Sequence, residues 1–411
     1  MNATSIPIGP ARIEPAGAVF ASIKRPRIES VDLLRGIIMI IMALDHTRDF
    51  LTNAAFLPTD LSQTTTAYFF TRWITHFCAP VFFFLTGTGA YLSLRRKSKR
   101  ELSRFLLTRG LWLIFLDVVV LRCLAMQFNF DFRVTLLLVL WALGWAMITL
   151  SVLIFLPGWL ITAIGVLMIA THNLFDAVQP AALGRLAPLW AILHAQFFVS
   201  ANPKHIVFVA YPLIPWLGVT AVGYTLGKVF TWPAERRQAF LLRLGLALTA
   251  AFVILRATNI YGDPAPWSSQ KTALFTVLSF LNTTKYPPSL LFLLMTLGPA
   301  LVFLSFTDAH TPRLLHPALS FGKAPLFFYV LHLPLIHLIC IVLCYARYGQ
   351  IHSMFQSPTL DQYPFTRPPD WGVSLPAVYL LWAFVVIALY PLCRWYAALK
   401  QSSSNPWLSY L

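Results

Sequence analysis

A chain of 411 residues with 58% hydrophobic and only 11% charged side chains cannot cover a water-facing surface in the usual way, because soluble domains carry roughly 25% charged residues. A mean hydropathy of +0.69 excludes an ordinary soluble domain. A net charge of +16 would point to nucleic acid in such a domain. Here the basic residues gather in a few loops, as they do on the cytoplasmic side of membrane proteins, and no nucleic-acid partner is expected.

Residues 1–28, rich in Pro, Ala and Ile, hold no apolar run of signal-peptide length and read as a disordered cytoplasmic tail. Apolar runs long enough for a ~30 Å hydrocarbon core follow. They lie near residues 31–50, 70–94, 105–126, 134–156, 159–176, 205–227, 238–257, 288–306, 321–345 and 374–396. The expected fold class is therefore all-α: a polytopic transmembrane helix bundle of about ten spans. It forms one domain over residues 29–400, with 401–411 as a cytoplasmic C-terminal tail.

Counted on alternating sides, the interior segments hold 16 Lys and Arg and the longer exterior segments 9. The run Arg95-Arg96-Lys97-Ser98-Lys99-Arg100 is decisive, since translocating it is very unfavourable. Both termini are expected in the cytoplasm. Three long exterior loops, 172–204, 258–287 and 346–373, carry Pro and Trp that suit an aromatic belt or a cap over a site.

Ionisable groups inside spans cost about 2.5–3.5 kcal/mol each at the helix centre, so they need partners and tend to serve function. In the first span Asp32 and Arg35 share a face at the cytoplasmic end. Thirteen residues on, about 20 Å along a helix, Asp45 begins the run Asp45-His46-Thr47-Arg48-Asp49. The second span brings Arg72 and His76, four residues apart, to similar depth. A carboxylate beside a histidine holds its tautomer and raises its basicity, which a general base needs. Arginine nearby suits an oxyanion or a carboxylate. Lys285, His332 and His337 extend this outer layer, and Lys323 lies with Asp32 and Arg35 at the inner end.

Plainer readings stand beside these. Asp32–Arg35 is equally well an interfacial ion pair, Lys323 a snorkelling side chain, and Asp117 and Arg122 interhelical pairing residues. Gly87 and Gly89 suit close helix packing better than a phosphate cradle. The five cysteines lie in apolar segments without a disulfide or zinc pattern, and no metal is expected.

The ordered set Ser30-Val31-Asp32-Leu33-Leu34-Arg35-Gly36, Pro80 to Gly87, Tyr211 to Trp216, Lys285 to Leu290 and Pro325 to His332 resembles the heparan-alpha-glucosaminide N-acetyltransferase-like membrane proteins, in their bacterial branch. The resemblance runs over most of residues 27–400. It implies a multi-pass acyltransferase of the bacterial cytoplasmic (inner) membrane, which moves an acetyl group from cytoplasmic acetyl-CoA to an extracytoplasmic acceptor, a saccharide amine or hydroxyl. Under that reading Asp32, Arg35 and Lys323 face the donor. Asp45, His46, Arg72, His76 and His332 carry the chemistry, and Arg48, Asp49, Lys285 and His337 meet the acceptor. The partners are the lipid bilayer and the acceptor, with a homodimer as one option. The family's essential histidine lies between the first two spans, where this chain has none from 47 to 75; His46 and His76 flank the gap. The alternative from the same residues is a transporter or proton-coupled permease using them as a relay.

Overall fold

Glu29 and Asp32 put negative charge in the first turn of α1 (Glu29–Leu51), where the helix dipole favours it. This helix is the centre of the molecule in the computed structural model, which describes residues 28–126, 133–202, 205–356, 365–403, 405, 408 and 410. Apart from Ile28, the expected N-terminal tail lies outside the described residues.

The helices that follow are α2 (Thr66–Thr75), α3 (Cys78–Ser93), α4 (Lys99–Phe115), α5 (Val139–Leu153), α6 (Gly158–Thr171), α7 (Ala187–Leu193) and α8 (Leu213–Leu226). Then come α9 (Ala234–Thr258), α10 (Ala273–Leu281), α11 (Leu290–Ala309), α12 (His316–Lys323), α13 (Pro325–Tyr348) and α14 (Leu375–Ser402). Around α1 pack α2, α3, α11, α12, α13 and α14, while α4 pairs with α5, α6 with α8, and α9 with α11.

Six helical segments among the described residues are long and apolar enough to cross a membrane: Gly158–Phe175, Leu213–Thr231, Ala234–Thr258, Leu290–Asp308, Pro325–Tyr348 and Leu375–Ser402. They coincide with six of the ten expected spans. The other four fall on α1, which is heavily charged, on the broken α2–α3 pair, on α4 with its π-helical continuation Leu116–Met126, and on the 15-residue α5.

Two expected spans are interrupted rather than continuous, and proline is the reason in both. Pro80 clashes with the carbonyl four residues back, that of His76, and donates no hydrogen bond to it. The chain accordingly breaks between α2 and α3 at His76–Phe77. Ala324 precedes Pro325 and adopts φ −129°, ψ 47°, ending α12 at Lys323 before α13 begins.

The structure is mostly helical but not wholly so. The expected fourth and sixth spans begin as strands β1 (Val134–Leu137) and β3 (His205–Val209), joined by β2 (Phe198–Asn202) in a sheet of order β1-β3-β2. β1 runs parallel to β3 with Val134 opposite Ile206, and β2 runs antiparallel to it. At its far end, α14 passes residue 401, and two described residues beyond it accept hydrogen bonds from the bundle: Trp112 Nε1 donates to the Tyr410 carbonyl and Tyr396 Oη to the Leu408 carbonyl.

Close helix crossings are made by glycines, as in membrane bundles. A Cβ on Gly36 would sit 1.9 Å from the Ala318 carbonyl oxygen, and one on Gly322 1.7 Å from that of Asp32. The α1–α12 contact is thus backbone against backbone. A Cβ on Gly87 would likewise meet the Thr220 carbonyl oxygen at 2.1 Å, so this glycine packs α3 on α8, whereas Gly89 faces open space. All five cysteines are free and buried.

Candidate functional site

The last two turns of α1 and the last turn of α2 bring an acid, two arginines and a threonine together. Arg72 Nη1 approaches both oxygens of Asp45, at 2.7 and 2.6 Å, and Arg48 Nη2 lies 2.8 Å from Oδ1. Thr75 Oγ1 donates to the same oxygen at 2.9 Å. Asp45 is 8% exposed and Arg48 3%, so this is an ion cluster withdrawn from water. Two cations on one carboxylate satisfy the demand that buried charge be paired. Thr75 lies one turn beyond Arg72 on α2 and belongs to the cluster, although the sequence reading passed over it.

His46 points another way. Its Nδ1 lies 2.7 Å from His332 Nε2, with the two rings stacked at 5.0 Å between centroids. His332 is wholly buried, and its Nδ1 lies 2.7 Å from the Tyr329 carbonyl oxygen and 3.2 Å from that of Phe328. A carbonyl only accepts, so His332 Nδ1 carries the proton and its Nε2 offers a lone pair. His46 Nδ1–H therefore donates to His332, which leaves the lone pair of a neutral His46 on Nε2. The partners fix this tautomer. His46 as a residue remains partly exposed.

The other residues expected in this layer divide. His76, at the break after α2, is 2% exposed, packs against the Phe292 ring at 5.3 Å, and keeps Nδ1 without a hydrogen-bond partner. Lys285 is buried beside them, its Nζ 5.1 Å from the Tyr286 ring centre, and makes no ion pair among the described residues. It acts electrostatically on Asp45, His46 and His76. Tyr286 in turn meets Tyr211 hydroxyl to hydroxyl at 3.3 Å. Burial would raise the Tyr286 phenol, but Lys285, Arg72 and the hydrogen bond with Tyr211 together hold the group below its usual range.

Asp49 pairs with Arg48 at 2.5 Å and its backbone carbonyl accepts from Arg367 at 2.7 Å. His337 stands apart. It is stacked on Phe365 at 5.4 Å, and its Nε2 lies 2.9 Å from the Met354 carbonyl, a packing environment away from the His46–His332 pair.

At the Glu29 end of α1, Arg35 pairs with Asp32 at 3.0 Å and reaches the Gly322 carbonyl at 3.4 Å. Ser30 Oγ donates to Asp308, which Arg237 grips at 2.6 Å. Lys323 is partly exposed and makes no ion pair among the described residues. Asp117, by contrast, is a cap: its Oδ2 accepts from the backbone N–H groups of Leu138 and Trp141 at the start of α5. Arg122 bonds Thr135.

Chemically, the arrangement offers an oriented imidazole lone pair beside a fixed positive cluster at one end of α1, and cationic groups at the other. The description "heparan-alpha-glucosaminide N-acetyltransferase, catalytic" belongs to a family model that matches residues 27–263, more than half of the chain. No curated protein matches the chain. Within the matched region lie Asp32, Arg35, Asp45, His46, Arg48, Asp49, Arg72 and His76. His332, the partner of His46, lies beyond it, as do Lys285 and Lys323.

Proposed function

The chain belongs to the heparan-alpha-glucosaminide N-acetyltransferase family and is a membrane acetyltransferase, and from that premise we propose that it takes the acetyl group from cytoplasmic acetyl-CoA and delivers it to an extracytoplasmic saccharide. The single observation that carries the reading is the chain of hydrogen bonds from the Tyr329 carbonyl through His332 to His46. It presents a basic nitrogen, oriented and partly open, on the same helix as the donor-side arginine.

In this proposal the membrane is the bacterial inner membrane, crossed about ten times with both termini inside. Asp32, Arg35 and Lys323 then lie at the cytoplasmic end. The partly exposed Lys323 supplies cationic charge that suits the phosphates of the donor, with Arg35 held beside it by Asp32. At the outer end His46 Nε2 takes the proton from the acceptor amine or hydroxyl as that atom attacks the thioester carbonyl. The carbonyl carbon gains a bond to the acceptor and loses its bond to sulfur, and the thiolate departs. Hydrogen-bonding to His332 steadies His46 as it becomes cationic. The cationic groups Lys285 and Arg72 suit the oxyanion that forms in between. The transport alternative gains nothing from the family assignment.

The test is acetyl transfer from radiolabelled acetyl-CoA to glucosamine or a glucosaminide by the purified protein in nanodiscs. Product formed by the wild type and lost in His46→Ala is the expected outcome. Failure to bind acetyl-CoA at millimolar concentration in calorimetry would overturn the reading.

A further inference from the structure

A second polar cluster lies away from α1. His172 and Asp176 follow α6 within one helical turn and a half, and His194 ends α7. One ligand-type atom from each of the three lies within 4.8 Å of the others. His194 Nε2 is 3.1 Å from Asp176 Oδ1. Two ligands of a tetrahedral zinc ion, each about 2.0–2.1 Å from the metal, stand roughly 3.3 Å apart.

His172 supplies the independent observation. Its side chain is buried at 1% exposure, yet neither ring nitrogen has a hydrogen-bond partner. A neutral imidazole always carries one N–H and one lone pair, and leaving both unmet in the interior costs about 1–3 kcal/mol per group. The Pro288 carbonyl lies near the ring but outside hydrogen-bond geometry. A small adjustment gives it the N–H, and one ring nitrogen of His172 lies within 4.8 Å of ligand atoms of His194 and Asp176. This is the outer-shell pattern of a metal-bound histidine, which donates its second nitrogen to a carbonyl. Asn173 completes the shell: its Nδ2 donates to Asp176 Oδ2 at 2.8 Å, and its Oδ1 accepts from Leu290 N at 2.9 Å.

We infer that His172, Asp176 and His194 form a binding site for one zinc-class divalent cation. Two imidazoles and one carboxylate suit zinc or cobalt(II) rather than magnesium or calcium, which prefer all-oxygen shells. Asp176, whose side chain is 18% exposed, opens the fourth position to solvent. The ion ties the segment after α6 to the end of α7. Through Asn173 and Pro288 it also braces the 284–290 loop that carries Lys285 and Tyr286. The sequence spacing hides such a site, because the third ligand follows 18 residues after the second.

Untagged full-length protein in detergent, stripped with a chelator, is titrated with Co²⁺ and then Zn²⁺. One equivalent of Co²⁺ is expected to give the visible absorption of a tetrahedral nitrogen–oxygen site, to be displaced by Zn²⁺, and to raise the thermal unfolding midpoint. His172→Ala and His194→Ala are each expected to weaken binding more than about 100-fold, beyond the loss from an outer-shell partner. His205→Ala, an exposed histidine of β3, keeps it intact. A wild-type protein that develops no cobalt spectrum overturns the inference, and so does undiminished binding by the His172→Ala/His194→Ala double variant. The wild-type titration decides the matter even where a variant does not fold. The readout is independent of acetyl transfer.

Discussion

His46 and His332 are joined from Nδ1 to Nε2 at 2.7 Å across 286 residues of sequence, and the second ring is itself anchored by a backbone carbonyl. The first histidine can therefore present only one nitrogen to a substrate. His46→Ala is expected to lower kcat by about 10²–10⁴-fold, the usual contribution of a positioned general base. His332→Ala, which frees the ring without removing it, falls short of that loss. Steady-state acetyl transfer by the two purified variants checks the order; equal activity in His46→Ala and wild type refutes the histidine mechanism.

The Asp45 cluster predicts a stability effect with its own internal control. Asp45→Asn leaves Arg72 buried without its anion and Arg48 with Asp49 alone, which costs about 3–5 kcal/mol for a broken buried pair. Asp49→Asn touches a pair whose acid side chain is 37% exposed, so the expected loss is under about 1 kcal/mol. Thermal unfolding in detergent separates the two.

The helix crossing at Gly36 makes a steric prediction. Gly36→Ala or Gly322→Ala would place a methyl group under 2 Å from a backbone oxygen that cannot rotate away. Both variants are expected to lose folded protein on size-exclusion chromatography. Gly89→Ala meets open space, and there the substitution is expected to be neutral or to stabilise the helix by up to about 1 kcal/mol.

On the proposed donor side, Lys323→Ala is expected to raise the acetyl-CoA KM about 10-fold, equivalent to ~1.4 kcal/mol, with kcat nearly unchanged. A fall in kcat with constant KM would move Lys323 out of the donor site.

How far the site could be read beforehand depended on which contacts are local. Asp45 and Arg72 were expected at one depth because a short loop joins antiparallel helices, and they meet as a salt bridge. Spacing also explains why His337 separates from His332. Five residues advance an α-helix by about 500°, which turns the two side chains roughly 140° apart. The breaks at His76 and Ala324 were hidden for another reason: hydropathy averages over a proline, while the hydrogen-bond ladder does not. His172, Asp176 and His194 could not be assembled at all, because only the packing of α7 against its neighbours brings the last of them near. The strands β1 and β3 leave no mark in the hydropathy pattern, since their residues are as apolar as the helices they precede.

The backbone contact of Gly36 with α12 has a consequence for how the two ends of α1 work together. A helix wedged carbonyl against Cα cannot slide or turn past its neighbour, so α12 and its Lys323 stay level with Arg35, while His46 stands 11 residues further along the same helix, about 16.5 Å at 1.5 Å each. The protein cannot shorten that gap by motion of α1. In the proposed reaction the acetyl group is then carried across it on the reach of the donor itself, which makes the length of the donor's flexible arm, more than any movement of α1, the measure of what the protein accepts.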